Sequence, residues 1–369
     1  MPFLSNNTVK IFALLLCAGV LVFWYLSNSS PNRKTPVGRS YKLFYDDNRV
    51  SWINNDKRPL ATTIWYPAIV TAPEQPWKVG IFKAGWNAKD AKLSTQQAKY
   101  PLIILSHGTA SAAMQLSWLA ETLASNGYIV AAVNHHGNTA AENDLLPQGF
   151  MLWWERAMDV SVLIDKLLSD QQFGRHIDTT KIGAAGFSLG GYTAIAIAGG
   201  ITNRTQWQKF CQLTATATIC KPPPESDFSL ATFAQLITDN QQVQDSINLS
   251  ANSFVDNRVK AIYAIAPVHG PAFTQSSLTN IKIPTKIVVG TGDNQAQPQY
   301  NAKILADSIP NAQLQLLGNV SHYTFLANCT LKGKWFVAEI CKDNSGIDRT
   351  KVHQQVSWDA LEFFNKQLL

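Results

Sequence analysis

The stretch Lys181–Gly199, KIGAAGFSLGGYTAIAIAG, sets one serine among glycines. A short apolar run leads into Ser188, and a small-residue helical pattern leads out of it. Gly186 and Gly190 bracket the serine as Gly-x-Ser-x-Gly. Between a strand and a helix, that pattern forms a strained turn that pushes the hydroxyl out above the carboxyl end of a sheet. The helix beginning there aims its free N–H groups and positive end at the same point. Ala194, Ala196 and Ala198 let it lie close on the strands.

Outward from this turn, strand and helix patterns alternate. PLIILSHG (Pro101–Gly108) is a continuous apolar run entering a glycine turn, as in a parallel strand buried on both faces. SWLAETLASNG is a helix with a glycine stop, followed by the strand YIVAAVNHHG. WERAMDVSVLIDKLL reads as an amphipathic helix with Met158, Val162 and Leu163 on its apolar face. VKAIYAIAP and TKIVVGTGD are further buried strands, AKILADSIP a helix, AQLQLLGNVSH a last strand and loop, and SWDALEFFNKQLL a closing helix. Near the N-terminal side, RPLATTIWYPA (Arg58–Ala68) is a strand ending at a proline. This order predicts a doubly wound, mostly parallel α/β sheet. About residues 202–257 hold no apolar strand but contain KPPPE and one helical stretch, SLATFAQLITDNQQVQDSI, and are expected to form a helical cap insertion.

Val9–Leu26 is apolar except for Lys10, then breaks into SNSSPNRK. Residues 1–29 are therefore expected to be either a signal peptide or an N-terminal membrane anchor, 30–40 a linker, and 41–369 the α/β domain. Leu16 before Cys17 and the continued apolar run argue against lipidation. Cys211, Cys220, Cys329 and Cys341 remain, close in sequence as pairs. Export favours disulfides, and the local pairing Cys211–Cys220 and Cys329–Cys341 is one of three connectivities.

The net charge of +6 is spread along the 369 residues with no Lys/Arg block, and no zinc-finger, P-loop or dinucleotide fingerprint is present. Nucleic-acid binding is not expected. No metal or cofactor is expected either. The expected partners are a small-molecule or lipid ester substrate and, through the N-terminal segment, a membrane.

A serine hydroxyl is a poor nucleophile without a base. In this arrangement the chain order is serine, acid, histidine. His322, in the loop LGNVSHYTFL after the last strand, is the expected base; His353 follows too, but at a helix start expected to face solvent. Asp293, just past a buried strand in TGDN, is the expected acid, although Gly-Asp-Asn is also turn chemistry. Asp307 falls on the following helix and points elsewhere. The oxyanion hole is expected from the N–H groups of Leu189 and of Thr109 in His107-Gly108-Thr109, with His107 ordering that loop. His135 and His136 follow another strand end, where they either line the pocket rim or have a structural or surface role.

RPLATTIWYPA, PLIILSHGTA, LASNGYIVAAVNHHGN, GAAGFSLGGYTA, DNRVKAIYAIAP and NAQLQLLGNVSHYTFL together resemble the exported α/β-hydrolases usually labelled predicted dienelactone hydrolases, related to type II platelet-activating-factor acetylhydrolases. The resemblance runs from about Arg58 to the C-terminus. It implies the α/β-hydrolase fold, with Ser188 as nucleophile, Asp293 as acid, His322 as base, and oxyanion donors at Thr109 and Leu189. Dienelactone hydrolases proper use cysteine; serine here favours ordinary carboxylic esters, of short-chain or phospholipid type. NHHGN stands where relatives often carry His-Pro-Gly, so the rim near His136 departs from the pattern. The alternatives are a non-catalytic binding protein on this fold, and an amidase or acyltransferase using the same triad. The glycosylation sequon Asn319-Val320-Ser321 would crowd His322, which favours a host that does not glycosylate. The expected location is a bacterial cell envelope, anchored or periplasmic, or the medium.

Overall fold

A computed structural model describes residues 33–214 and 217–369. The expected signal peptide or anchor lies outside the described residues. Among those described, no helix is long and apolar enough to cross a membrane.

Eleven strands form one mixed sheet: β1 (Val37–Val50), β2 (Lys57–Pro67), β3 (Gln75–Val79), β4 (Phe82–Lys89), β5 (Tyr100–Ser106), β6 (Ile129–Asn134), β7 (Ile177–Phe187), β8 (Val259–Ile265), β9 (Thr285–Gly290), β10 (Gln313–Leu317) and β11 (Asn328–Cys329). Their spatial order is β10-β9-β8-β7-β5-β6-β2-β1-β4-β11, with β3 also paired to β4. From β10 to β6 every pairing is parallel. β2 runs antiparallel to both β6 and β1.

Every residue of β5 and β6 is buried. That agrees with their unbroken apolar sequences and requires cover on both faces. Helix Ser117–Ser125 packs with the C-terminal helix Arg349–Leu368, and Glu155–Leu168 packs with Leu189–Ile197. β5 lies between β6 and β7, so the chain winds outward from it in both directions. Such a switch point leaves a crevice at the carboxyl ends of the strands. Ser188 follows β7, and the loop His107-Gly108-Thr109 follows β5.

Several expectations need correction. Residues 30–40 are not all linker: Val37–Ser40 is strand, Val37 is wholly buried, and Arg33 is tied to Glu74 and Glu121. The helix over Ser229–Ile247 is two helices, Leu230–Asp239 and Gln241–Leu249. Asn240 is extended between them, and its side chain accepts the Val243 N–H, ending one helix and capping the next. On Glu155–Leu168 the buried stripe runs through Val160, Leu163 and Leu167, not Met158 and Val162, and includes Arg156 and Asp159. The sheet also gains β1, β3, β4 and β11, which were not anticipated. Between Thr202 and Asn257 the described residues add helices but no strand to the sheet.

The disulfides are Cys211–Cys220, within that insertion, and Cys329–Cys341, near the edge strand β11.

Candidate active site

Ser188 occupies the turn between β7 and helix Leu189–Ile197 with φ 55° and ψ −115°. A non-glycine residue there is strained by about 1–3 kcal/mol. Its neighbours hold it in place. Ser188 N–H donates to Ile265 O at 2.9 Å, locking the turn to β8. A Cβ on Gly186 would lie 2.1 Å from Gly190 O, and one on Gly190 would lie 1.8 Å from Ser106 O. Those glycines let the helix start directly against the ends of β5 and β7.

His322 begins a short turn after β10. Its Nε2 lies 3.0 Å from Ser188 Oγ, and its Nδ1 lies 2.7 Å from Asp293 Oδ2. With an ionised Asp293, Nδ1 carries the proton and Nε2 accepts from the serine. The Phe187 ring packs against the imidazole, 4.7 Å between centroids. Asp293 Oδ1 accepts the N–H groups of Gln295 at 2.9 Å and Ala296 at 2.7 Å. The turn reading and the acid reading of Asp293 are thus compatible: one oxygen organises the turn while the other faces His322. All three side chains are buried to within 6% of full enclosure, so the relay is shielded from water.

The pocket above Ser188 measures about 320 Å3. Thr109, Leu189 and His322 line it beside the serine. Leu189 is the first residue of its helix, where the N–H has no intrahelical acceptor. From the insertion, Thr218, Ile219, Lys221, Pro222–Pro224 and Glu225 form the opposite wall. Tyr323, next to His322, donates its hydroxyl to Glu225 Oε1 at 2.6 Å. Burial, reinforced by Glu225, raises the Tyr323 phenol and keeps it a donor.

His107 does not face this pocket. Its Nε2 accepts the His135 N–H at 3.1 Å, which places the proton on Nδ1, and Nδ1 donates to Gly108 O at 2.7 Å. Burial first, then Arg156 and His135, holds the imidazole well below its usual pKa, hence neutral. Arg156 donates to His107 O at 2.9 Å. The loop after β5 is therefore fastened from inside the protein.

His135 is part of the same interior network, not of the rim. Its Nδ1 meets Asp159 Oδ2 at 2.9 Å and its Nε2 meets Ser106 Oγ at 2.8 Å. His136 is likewise buried, between Glu142 on one side and the Ser51 hydroxyl and Trp52 N–H on the other. Asn138, two residues on, lines the pocket instead, and its Oδ1 accepts the Ala110 N–H at 2.7 Å. His353 was expected at the surface; it is buried, stacked on Trp118 with 4.4 Å between centroids, and bonded to Thr324 O at 2.8 Å. It braces the His322 loop and lies away from Ser188's hydrogen bonds. Asp307 pairs with Lys303 on the surface.

Sequence reasoning missed Arg156, Asp159, Asn138 and the Tyr323–Glu225 contact. Arg156 and Asp159 share their helix with Glu155, Asp165 and Lys166, so nothing in its sequence marked those two charges as buried. Asp159 receives Arg58 Nε at 2.8 Å and Arg49 Nη2 at 2.6 Å. Burial alone would raise its pKa, but Arg58, then Arg49, hold it well below the ordinary range.

Comparison with known proteins adds three findings. The sequence model of the family "Platelet-activating factor acetylhydrolase, isoform II" matches residues 79–148, and that of the "Prolyl oligopeptidase family" matches residues 114–207. No curated protein matches the chain. Among solved structures, a ferulic acid esterase from Streptomyces cinnamoneus is similar at a TM-score of 0.62 and 17% identity, with 92% of each chain covered. The chain has the α/β-hydrolase fold.

Proposed function

We propose that this α/β-hydrolase cleaves carboxylic esters through an acyl-enzyme on Ser188, a reading supported by the acetylhydrolase-family match over residues 79–148. The observation that carries the reading is the unbroken relay Ser188 Oγ–His322–Asp293 at 3.0 and 2.7 Å, set on a strained turn that opens into a pocket. In the proposed cycle His322 Nε2 takes the hydroxyl proton as Ser188 attacks the ester carbonyl. Asp293 fixes the imidazole tautomer and stabilises its charge. The N–H groups of Thr109 and Leu189 receive the oxyanion, a contribution worth about 3–4 kcal/mol per donor in comparable sites. His322 then protonates the leaving alcohol, and water activated by the same nitrogen releases the acid.

The substrates we propose are short-chain or phospholipid-type acyl esters. The match to the acetylhydrolase family over residues 79–148 and the modest pocket of about 320 Å3 support this choice over long-chain triglycerides. Two disulfides suit a protein working outside the reducing cytoplasm. We extend this to an exported protein of a bacterial cell envelope, delivered by its apolar N-terminal segment as a signal peptide or anchor.

The test is hydrolysis of a p-nitrophenyl ester series and of the matching anilides by the full-length chain, beside Ser188→Ala, with fluorophosphonate labelling of both. Ester turnover and labelling that vanish together in Ser188→Ala are the expected result. Labelling with anilide turnover but no ester turnover would move the assignment to an amidase. No labelling of the folded protein would overturn catalysis and leave a binding protein.

A further inference from the structure

Helix Leu331–Phe336, LKGKWF, is built inside out. A surface helix normally turns its apolar side chains to the core. Here Leu331, Trp335 and Phe336 are 83%, 84% and 73% exposed, and the buried residue is Gly333, which rests on Ile81 O. This is not a frayed segment. Thr330 N–H donates to Ile81 O at 2.8 Å, and the Thr330 side chain caps the helix by accepting the Gly333 N–H. The Cys329–Cys341 disulfide closes the loop around it. Behind it, Arg349 pairs with Asp343 and donates to Ile340 O, so the base is pinned to the C-terminal helix. The fold thus holds three large apolar side chains rigidly in solvent, a costly arrangement without something to cover them.

Their neighbours say what that is. Lys332, Lys334 and Lys342 are exposed on this segment, against two exposed carboxylates, Glu339 and Asp348, while Asp343 is already paired with Arg349. Tryptophan and phenylalanine at the tip with lysines beside them is the composition that settles at the headgroup boundary of a bilayer. The chain outside the described residues agrees. Thirty-two residues precede Arg33, and Val9–Leu26 among them is the apolar run. Arg33, the first described residue, lines the same groove as Leu331 and Lys332, so the described chain begins beside this helix.

We propose that Leu331, Trp335 and Phe336 insert into the surface of an anionic lipid bilayer, with Lys332 and Lys334 on the headgroups. This second contact orients the domain on the membrane and is independent of the serine chemistry.

The full-length chain is reconstituted with vesicles of phosphatidylcholine and phosphatidylglycerol whose acyl chains carry bromine, a contact quencher of tryptophan. Trp24, in the apolar run, gives a background common to all variants. The expected result is a component of quenching in the wild type that Trp335→Phe removes. The double variant Leu331→Ser/Phe336→Ser, which keeps the Trp335 reporter, is expected to lose it as well. Lys332→Gln/Lys334→Gln is expected to remove its dependence on phosphatidylglycerol. Unchanged ester turnover in these variants shows that they are folded. Equal quenching of wild type and Trp335→Phe overturns the proposal. So does self-association without lipid that is abolished by Leu331→Ser/Phe336→Ser, which would assign the patch to a second copy of the chain.

Discussion

Asp293 divides its two oxygens between structure and the proposed chemistry, and the division can be tested. Asparagine in its place can still accept the Gln295 and Ala296 N–H groups through Oδ1. It cannot hold His322 in the tautomer that accepts from Ser188, because its NH2 group donates where the carboxylate accepted. Asp293→Asn is therefore expected to fold with little change in Tm while turnover falls about 10⁴-fold, as for the same change in other triads. Asp293→Ala is expected to lose both activity and stability. Steady-state rates beside thermal melts separate the two, and a near-normal rate in Asp293→Asn would remove the residue from the triad. Ser188 gives a complementary case. Its backbone, φ 55° and ψ −115°, suits glycine far better than any other residue. Ser188→Ala keeps that strain and Ser188→Gly relieves it. We expect Ser188→Gly to be the more stable of two inactive proteins by about 1 kcal/mol, after the greater chain entropy of glycine is subtracted. Urea unfolding of the pair measures this, and equal stabilities would mean that the turn is not strained.

At the level of elements, local pattern carried the reading a long way. The apolar runs of β5 to β9 and the glycine-bracketed turn are short-range signals, and so is the placement of Ser188, Asp293 and His322 each just past a strand. What the pattern could not display was cross-chain pairing. β4 and β11 are half-polar, and they become strands only because the edge of β1 and the loop after His322 reach them. His353 looks like a surface residue on a helix; it is buried because Trp118 and Thr324, far away in sequence, meet it there. Helix Glu155–Leu168 is the sharpest case. Arg156 and Asp159 read as solvent-facing charges, yet both are enclosed. Each is enclosed because its partners arrive from elsewhere: Arg49, Arg58 and His135 for Asp159, the His107 carbonyl for Arg156. This makes the helix vulnerable. Asp159→Asn leaves Arg58, buried to 1% exposure, with only a long contact to Glu155, at 3.9 Å, as counter-charge. Removing one partner of a buried ion pair costs about 3–5 kcal/mol. We expect Asp159→Asn to lose that much in chemical unfolding, against under about 0.5 kcal/mol for the exposed Asp307→Asn control. A loss below about 1 kcal/mol would mean that the cluster is wet and weakly coupled.

Across the whole molecule, the buried titratable groups set an acid limit on stability. Burial lowers His135, His269 and His353 to about 3, in each case as the main cause, and takes His107 well below its usual value. In the unfolded chain each would bind a proton near pH 6.5. Between about pH 6.5 and their depressed values, the unfolded state therefore holds more protons than the folded one. Stability then falls as pH falls, by about 1.4 kcal/mol per pH unit for each histidine. Glu121 works the other way. Burial, only partly offset by Arg33, raises its carboxyl to about 7, so between about pH 7 and 4.5 the folded state holds the extra proton and acidification is stabilising. Four histidines against one carboxyl leave a net excess of about three protons in the unfolded chain, and the histidines win. For a fold with the usual reserve of about 5–15 kcal/mol, that slope exhausts stability within about one to four pH units, about two and a half in the middle of the range. We therefore expect urea midpoints to drop steeply from about pH 6.5 and the fold to be lost near pH 4. The linkage is separable by residue. His353→Gln can still donate to Thr324 O and has no proton to gain, so its stability is expected to fall by about one proton less per pH unit. Glu121→Gln removes the opposing term, and its stability should fall more steeply than the wild type's over the same window. Unfolding curves for the three proteins across the window decide the matter. A wild-type midpoint that is flat from pH 6.5 to 5 would mean that these histidines take up protons inside the fold, and that the interior from His135 to His353 is not dry.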